Sequence, residues 1–330
     1  MGLDFKAPCK FTLSANEIRV FSECARKRYY SSRDCLAIRS NTPRKNLVLG
    51  SAFHSALEYY YTALNNAVRA VMIETGCSIE EVDVQTLFDC VEEYPLTDKV
   101  YDEDGNLVEE TPIVEPSDFA TLKNMIECYK PQIVKDVIEY EVLGCEVVFN
   151  MENWPIEDVQ YHGYIDMIVR RRSDSLIFFF EHKTCANFRP EIYSRFDIQL
   201  HIYSIYGHNE YDYSEHGNFG GILLNQVKKA KTAKGYDQQR DLYAWDVQEM
   251  HDFELWLTAK TKALASPDNN HAPCNNYMTC KMCEYIDVCM RYGYKVPKTH
   301  EEIVDDASFT DEDGKALYAY DPRDKEEEEA

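Results

Sequence analysis

Two carboxylates and an amine are spaced in this chain for work on a phosphate. Gly163-x-x-Asp166 lies in one strand-like run, and Glu181-His182-Lys183 closes the next, after the tight turn Arg172-Ser173-Asp174. Alternate side chains of a strand share a face, so Glu181 and Lys183 project together while His182 faces away. Asp166, on the preceding hairpin strand, can stand opposite them. Such a set offers hard oxygen ligands for Mg2+ or Mn2+ and a cation beside an attacking water, which phosphodiester hydrolysis needs. The apolar run Leu176–Phe180 makes the second strand a buried one that ends in charges. An E-x-K after such a strand is, taken alone, equally a surface ion pair. Thiols form a second constellation. Cys280-x2-Cys283-x5-Cys289 can close around one metal or cluster, and Cys274 would complete a local four-cysteine zinc knuckle over 274–289.

The elements that must carry these residues follow from periodicity. Residues 14–30 read as one helix: Ser14 caps it, Glu17 sits three positions later, and Ile18, Phe21 and Ala25 share a face. A second helix runs from Gly50 to about Asn66, with Phe53, Leu57, Tyr60 and Leu64 at helical spacing. Residues 100–116 are an acidic excursion around an Asp-Gly turn, and helix returns over 118–139. Strands are expected at 144–150, 159–171 and 175–183, a helix at 190–207, and strands at 219–227 and 240–246 around a Lys-rich hairpin. A helix over 248–265 precedes the cysteines, and residues 301–330 form an acidic tail.

Two further spacings frame the centre: Gly50-x-x-x-His54 on the second helix, and Gln199-x-x-x-Tyr203, one helix face, after the E-x-K strand. With them the chain resembles the RecB-like branch of the PD-(D/E)XK nucleases. That branch carries a G-x-x-x-H helix, a G-x-x-D strand, a (D/E)-x-K strand and a Q-x-x-x-Y helix in this order. All four are present between residues 50 and 203. The resemblance implies an α/β, restriction-endonuclease-like core in which a central mixed sheet is flanked by helices. It implies that His54, Asp166 and Glu181 bind the divalent ion with the main-chain carbonyl of His182. Lys183 would polarise the attacking water, and Gln199 and Tyr203 would hold the DNA strand and the active-site helix. Glu146 is a further acidic candidate. Cys24, followed by Ala-Arg-Lys-Arg-Tyr-Tyr, is similar to the upstream thiol of cluster-bearing members, the AddB-type and CRISPR-associated RecB-like exonucleases. This implies a [4Fe–4S] cluster on Cys24, Cys280, Cys283 and Cys289, with Zn2+ as the alternative, joining the two ends of the domain. It also sets Arg26, Lys27 and Arg28 near the DNA phosphates. The implied activity is that of an exonuclease on single-stranded or end-containing DNA, in recombination, replication or DNA processing, as in phage-encoded relatives.

Composition bounds these readings. At 330 residues, 45% hydrophobic and 28% charged, the chain is globular with ample material for a core. It lacks a run of about 18 apolar residues, and its start, MGLDFKAPCKF, lacks a secretory centre. A cytoplasmic protein without membrane contact is expected, its scattered cysteines (Cys9, Cys35, Cys77, Cys90, Cys128, Cys145, Cys185) acting as small buried side chains. The net charge of −23 disfavours nucleic acid only as a sum. Residues 74–118 carry fifteen acids and one Lys and residues 301–330 thirteen acids against three bases, whereas residues 5–45 hold ten Lys/Arg and three acids. Phosphate neutralisation depends on the local patch.

The boundaries read from these shifts are an N-terminal cluster segment (1–45), a nuclease core (46–268) with an acidic insertion at 74–118, a cysteine segment (269–295) and the tail (296–330). Gly-x-x-x-x-Gly-Lys is absent, so a motor would have to come from a helicase, recombinase or replication partner. The rival reading is a nuclease-fold DNA-binding or scaffold protein without catalysis. Its mark would be a broken motif, and Asp166, Glu181 and Lys183 are all intact.

Overall fold

The computed structural model describes residues 11–33, 36–38, 45–101, 107–114, 116–212, 218–232, 235–266, 276–292 and 318–320. In chain order these form β1 (Phe11–Leu13), α1 (Ala15–Glu23), α2 (Ala25–Arg28), β2 (Leu36–Ile38), α3 (Lys45–Thr75) and α4 (Val84–Asp89). Then come β3 (Thr97–Tyr101), β4 (Leu107–Pro112), α5 (Pro116–Glu139), β5 (Tyr140–Glu152), β6 (Val159–Arg171) and β7 (Ile177–Cys185). The remainder is α6 (Glu191–Arg195), α7 (Ile198–Tyr211), β8 (Phe219–Thr232), β9 (Gly235–Tyr243), α8 (Val247–Ala265), α9 (Tyr277–Lys281), α10 (Ile286–Tyr292) and β10 (Tyr318–Tyr320). Among the described residues no helix is long and apolar enough to cross a membrane.

The main sheet is mixed, in the order β1-β6-β7-β8-β9, with β5 also pairing β6. Strand β7 lies antiparallel to β6 and parallel to β8. A parallel neighbour requires a crossover, and α6 and α7 provide it. A strand covered on both faces has to be apolar throughout. Ile177 to Phe180 are 0–2% exposed, and each buried side chain contributes about 1.5–3 kcal/mol. The alternation sorts them. Phe178 and Phe180 join the cluster built by Phe53, Leu57 and Leu64 of α3 and Leu122, Met125 and Ile133 of α5. Phe179 packs on the other face against Tyr206 and Tyr211 of α7 and Phe219.

The chain divides into two compact units, residues 43–149 with 164–246, and residues 1–42 with 150–163 and 247–330. The first holds α3 to α7 and most of the sheet. In the second, β1 pairs in parallel with the start of β6, Phe11 opposite Val159, and β10 pairs antiparallel with β2. Residues 247–268, read from sequence as part of the core, therefore group with both chain ends. A short strand at 318–320 stands within the expected acidic tail.

Several elements depart from the sequence reading. The helix expected over 14–30 is broken at Cys24, whose extended backbone (φ −164°, ψ 114°) ends α1 and caps α2. Its Sγ accepts the Lys27 N–H at 3.4 Å. The Ser14–Glu17 capping box forms as expected. The helix expected over 190–207 is two, because the Asp197 carboxylate accepts the Gln199 N–H (2.9 Å) and starts α7 afresh. The acidic insertion read at 74–118 contains the antiparallel β3–β4 pair. Helix α3 begins earlier and ends later than 50–66, and β8 and β9 extend into the Lys-rich hairpin.

Candidate metal centre

The first compact unit gathers acids and a histidine from four elements. His54 comes from α3, which approaches the carboxyl end of β7 because residue 50 is glycine: a Cβ there would meet Thr184 Oγ1 at 3.1 Å. Glu146 comes from β5, where its backbone is left-handed (φ 47°). That conformation costs a non-glycine residue on the order of 1–3 kcal/mol, and such strain concentrates at functional sites. Asp166 comes from β6. One ligand atom from each of His54, Glu146 and Asp166 lies within 4.8 Å of the others. The same residues line a pocket with Glu58 and His182.

The β6–β7 ladder ends at Met167 opposite Phe180. Beyond it the His182 N–H is taken by the Asp166 carboxylate at 2.6 Å, and His54 Nδ1 stands 3.6 Å from the same oxygen. The strands thus part where the acids converge. Burial works against the Asp166 carboxylate, but His54, through hydrogen bond and charge, holds it below its ordinary range. Burial likewise opposes protonated His54, and Asp166 outweighs it, raising the imidazole. Burial raises Glu146, with Asp166 adding to it.

Glu181 and Lys183 point together to the α7 face of β7 and form an ion pair. Glu181 is 1% exposed, and burial followed by the neighbouring charge of Asp166 raises its carboxyl well above the usual range. Among the described residues its carboxylate makes no hydrogen bond beyond that ion pair. Lys183 is opposed by burial but held above its ordinary pKa, Glu181 first and Asp166 next. Its Nζ also donates to Gln199 Oε1 (3.4 Å). Gln199 donates to the Tyr203 hydroxyl (2.6 Å), which donates to the Tyr164 carbonyl. Tyr203 is 2% exposed, so the helix pair braces α7 against β6, and Tyr203 presents no surface to a DNA strand.

The expected metal set of His54, Asp166, Glu181 and His182 is therefore only partly drawn together. Glu146 stands in the closest group, and the Glu181 side chain turns to Lys183. Three elements delivering carboxylates and an imidazole to one pocket, beside a buried acid of a fourth with a single cationic partner, form a donor set suited to a hard divalent ion.

The second unit holds the thiols. Cys24, Cys280, Cys283 and Cys289 line one pocket with Lys27 and Tyr30, and none of the four is joined in a disulfide. Burial raises the Cys283 thiol; Lys27 lowers it, while Cys24 and Cys289 raise it further. Cys274 lies outside the described residues. Of the three cations expected to face phosphate, Arg26 is only 1% exposed and Arg28 pairs with Glu17 at 3.1 Å. Lys27 lines the thiol pocket and stands 3.8 Å from Glu23.

A mixed sheet flanked by helices, with acids and a lysine converging where two of its strands part, defines a nuclease core of the kind that works with divalent metal. The family model of the PD-(D/E)XK nuclease superfamily matches residues 12–290, and the chain belongs to that superfamily. No curated protein matches the chain. Among solved structures it is similar to SSO0001, at 15% identity over 75% of this chain and 96% of that one, with a TM-score of 0.29.

Proposed function

We propose that this nuclease is a Mg2+- or Mn2+-dependent deoxyribonuclease acting as an exonuclease on single-stranded or end-containing DNA. The observation that carries the metal dependence is the convergence of His54, Glu146 and Asp166 within 4.8 Å, beside the Glu181–Lys183 pair. His54, Asp166 and Glu181, with Glu146 and the His182 carbonyl, would hold the ion, which supplies charge to the scissile phosphate and a more acidic water. Lys183 is kept protonated by two carboxylates and steered by Gln199, so its ammonium orients the attacking water and offsets negative charge as it develops.

The exonuclease preference rests on the resemblance to cluster-bearing RecB-like nucleases. The four thiols around one pocket support the same reading. They fit a [4Fe–4S] cluster with a structural role, or Zn2+ in its place. The test is cleavage of end-labelled single-stranded and duplex DNA, linear and circular, with Mg2+, Mn2+ or chelator. Metal-dependent loss of linear but not circular DNA, abolished in Lys183→Ala, is expected. A wild-type protein that cuts nothing sinks the enzyme reading and leaves the DNA-binding scaffold.

A further inference from the structure

The middle residue of the E-x-K strand is not idle. His182 is 3% exposed and points away from Glu181 and Lys183 into a buried polar chain. Asn225 of β8, its register partner, places Nδ2 3.0 Å from His182 Nδ1 and 2.7 Å from the Tyr129 hydroxyl. Arg240 of β9 donates to that hydroxyl through Nη2 (3.1 Å) and grips Asp136 through both Nη atoms (2.6 and 2.8 Å). Tyr61 donates to Asp136 at 2.5 Å and lies stacked against the His182 ring, centroids 6.1 Å apart. The His182 ring then meets the His54 ring edge-on, also at 6.1 Å. One imidazole is thus fixed on one side by a hydrogen-bonded chain ending in an ion pair, and touches a candidate metal ligand on the other.

We propose that Asn225 and Arg240 are positioning residues for the nuclease site, acting through the His182 imidazole on His54 and on the strand that carries Glu181 and Lys183. The proposal rests on the metal-dependent reading above. An amide NH2 only donates, so Asn225 fixes His182 Nδ1 as acceptor and sets the ring plane. Three strands and two helices contribute to the chain, so the site inherits their rigidity. Outer groups that orient a metal site are worth about 10–100-fold in metal affinity or activity when removed.

The test uses the full chain and Mn2+ alone, titrated by electron paramagnetic resonance without nucleic acid, followed by kcat and KM on DNA. Asn225→Ala is expected to weaken Mn2+ binding about tenfold or more and to lower kcat while leaving KM for DNA nearly unchanged. Leu122→Ala, in the same core but outside the chain, controls for general loosening and should leave Mn2+ affinity unaltered. Wild-type Mn2+ affinity retained in Asn225→Ala overturns the positioning role alone. Equal weakening in both variants overturns it too, because that is what core destabilisation does. A wild-type protein that does not bind Mn2+ overturns the metal-dependent reading itself.

Discussion

Replacing Arg240 by Met should cost about 3–5 kcal/mol of folding stability, because it strands a carboxylate in the core. Asp136 is the more deeply buried partner, its side chain 3% exposed against 21% for Arg240. Burial disfavours the guanidinium charge, yet the hydrogen bond with Asp136 outweighs it and holds Arg240 above its ordinary range. Removing the arginine leaves Asp136 with Tyr61 and Gln132 as donors and, among the described residues, no ion-pair partner. The guanidinium also lies 4.7 Å from the centre of the Phe180 ring, and losing that contact adds roughly 0.5–2 kcal/mol. Methionine keeps much of the apolar stem, so packing loss is minor. Urea unfolding of wild type, Arg240→Met, Asp136→Leu and the double variant closes a thermodynamic cycle. The double variant should lie within about 1–2 kcal/mol of wild type, since an apolar pair replaces a buried ionic one at little cost. Single-variant losses below 1 kcal/mol, or strictly additive ones, would refute the reasoning.

Lys183→Ala should lower kcat by about 100–1000-fold, the usual cost of one transition-state donor, with DNA binding retained in a filter assay without metal. Glu146→Gln should weaken Mn2+ binding in a calorimetric titration; unchanged affinity would remove Glu146 from the site. Folding should depend on His182 as acid is added. Burial holds its pKa down to about 3, below the unfolded value of 6.5, so the unfolded chain binds a proton the folded one refuses. That contribution is complete above pH 6.5 and is lost as pH falls toward 3, at up to about 1.4 kcal/mol per pH unit. The slope between pH 4 and 6 should therefore flatten in His182→Gln. Cys24→Ser should lower bound iron or zinc per chain by elemental analysis, with loss of thiolate charge-transfer absorption.

Much of the site was legible because its chemistry is local. Glu181 and Lys183 share a face through strand alternation alone, and the apolar run before them marked a buried strand. Gly50 was legible only as part of the G-x-x-x-H spacing; its close approach to Thr184 emerges from the structure. Glu146 carried a weaker signal, since its participation depends on a left-handed residue inside β5 that no pattern of alternation encodes. Arg26, within a basic run, looked like a phosphate contact and is buried. The break at Cys24 was hidden by good helix formers on both sides. The Asp136–Arg240 pair joins α5 to β9 across 104 positions, beyond what any short-range pattern reports.

The thiol pocket has a consequence for biosynthesis. Its walls come from residues 24–30 and 279–289, while the other compact unit ends at residue 246. A ribosome delivers that second stretch after the whole of the acid-bearing unit. The acid-bearing unit has its full sequence before Cys280 emerges, so Cys24 is made more than 250 residues ahead of the three thiols that share its pocket.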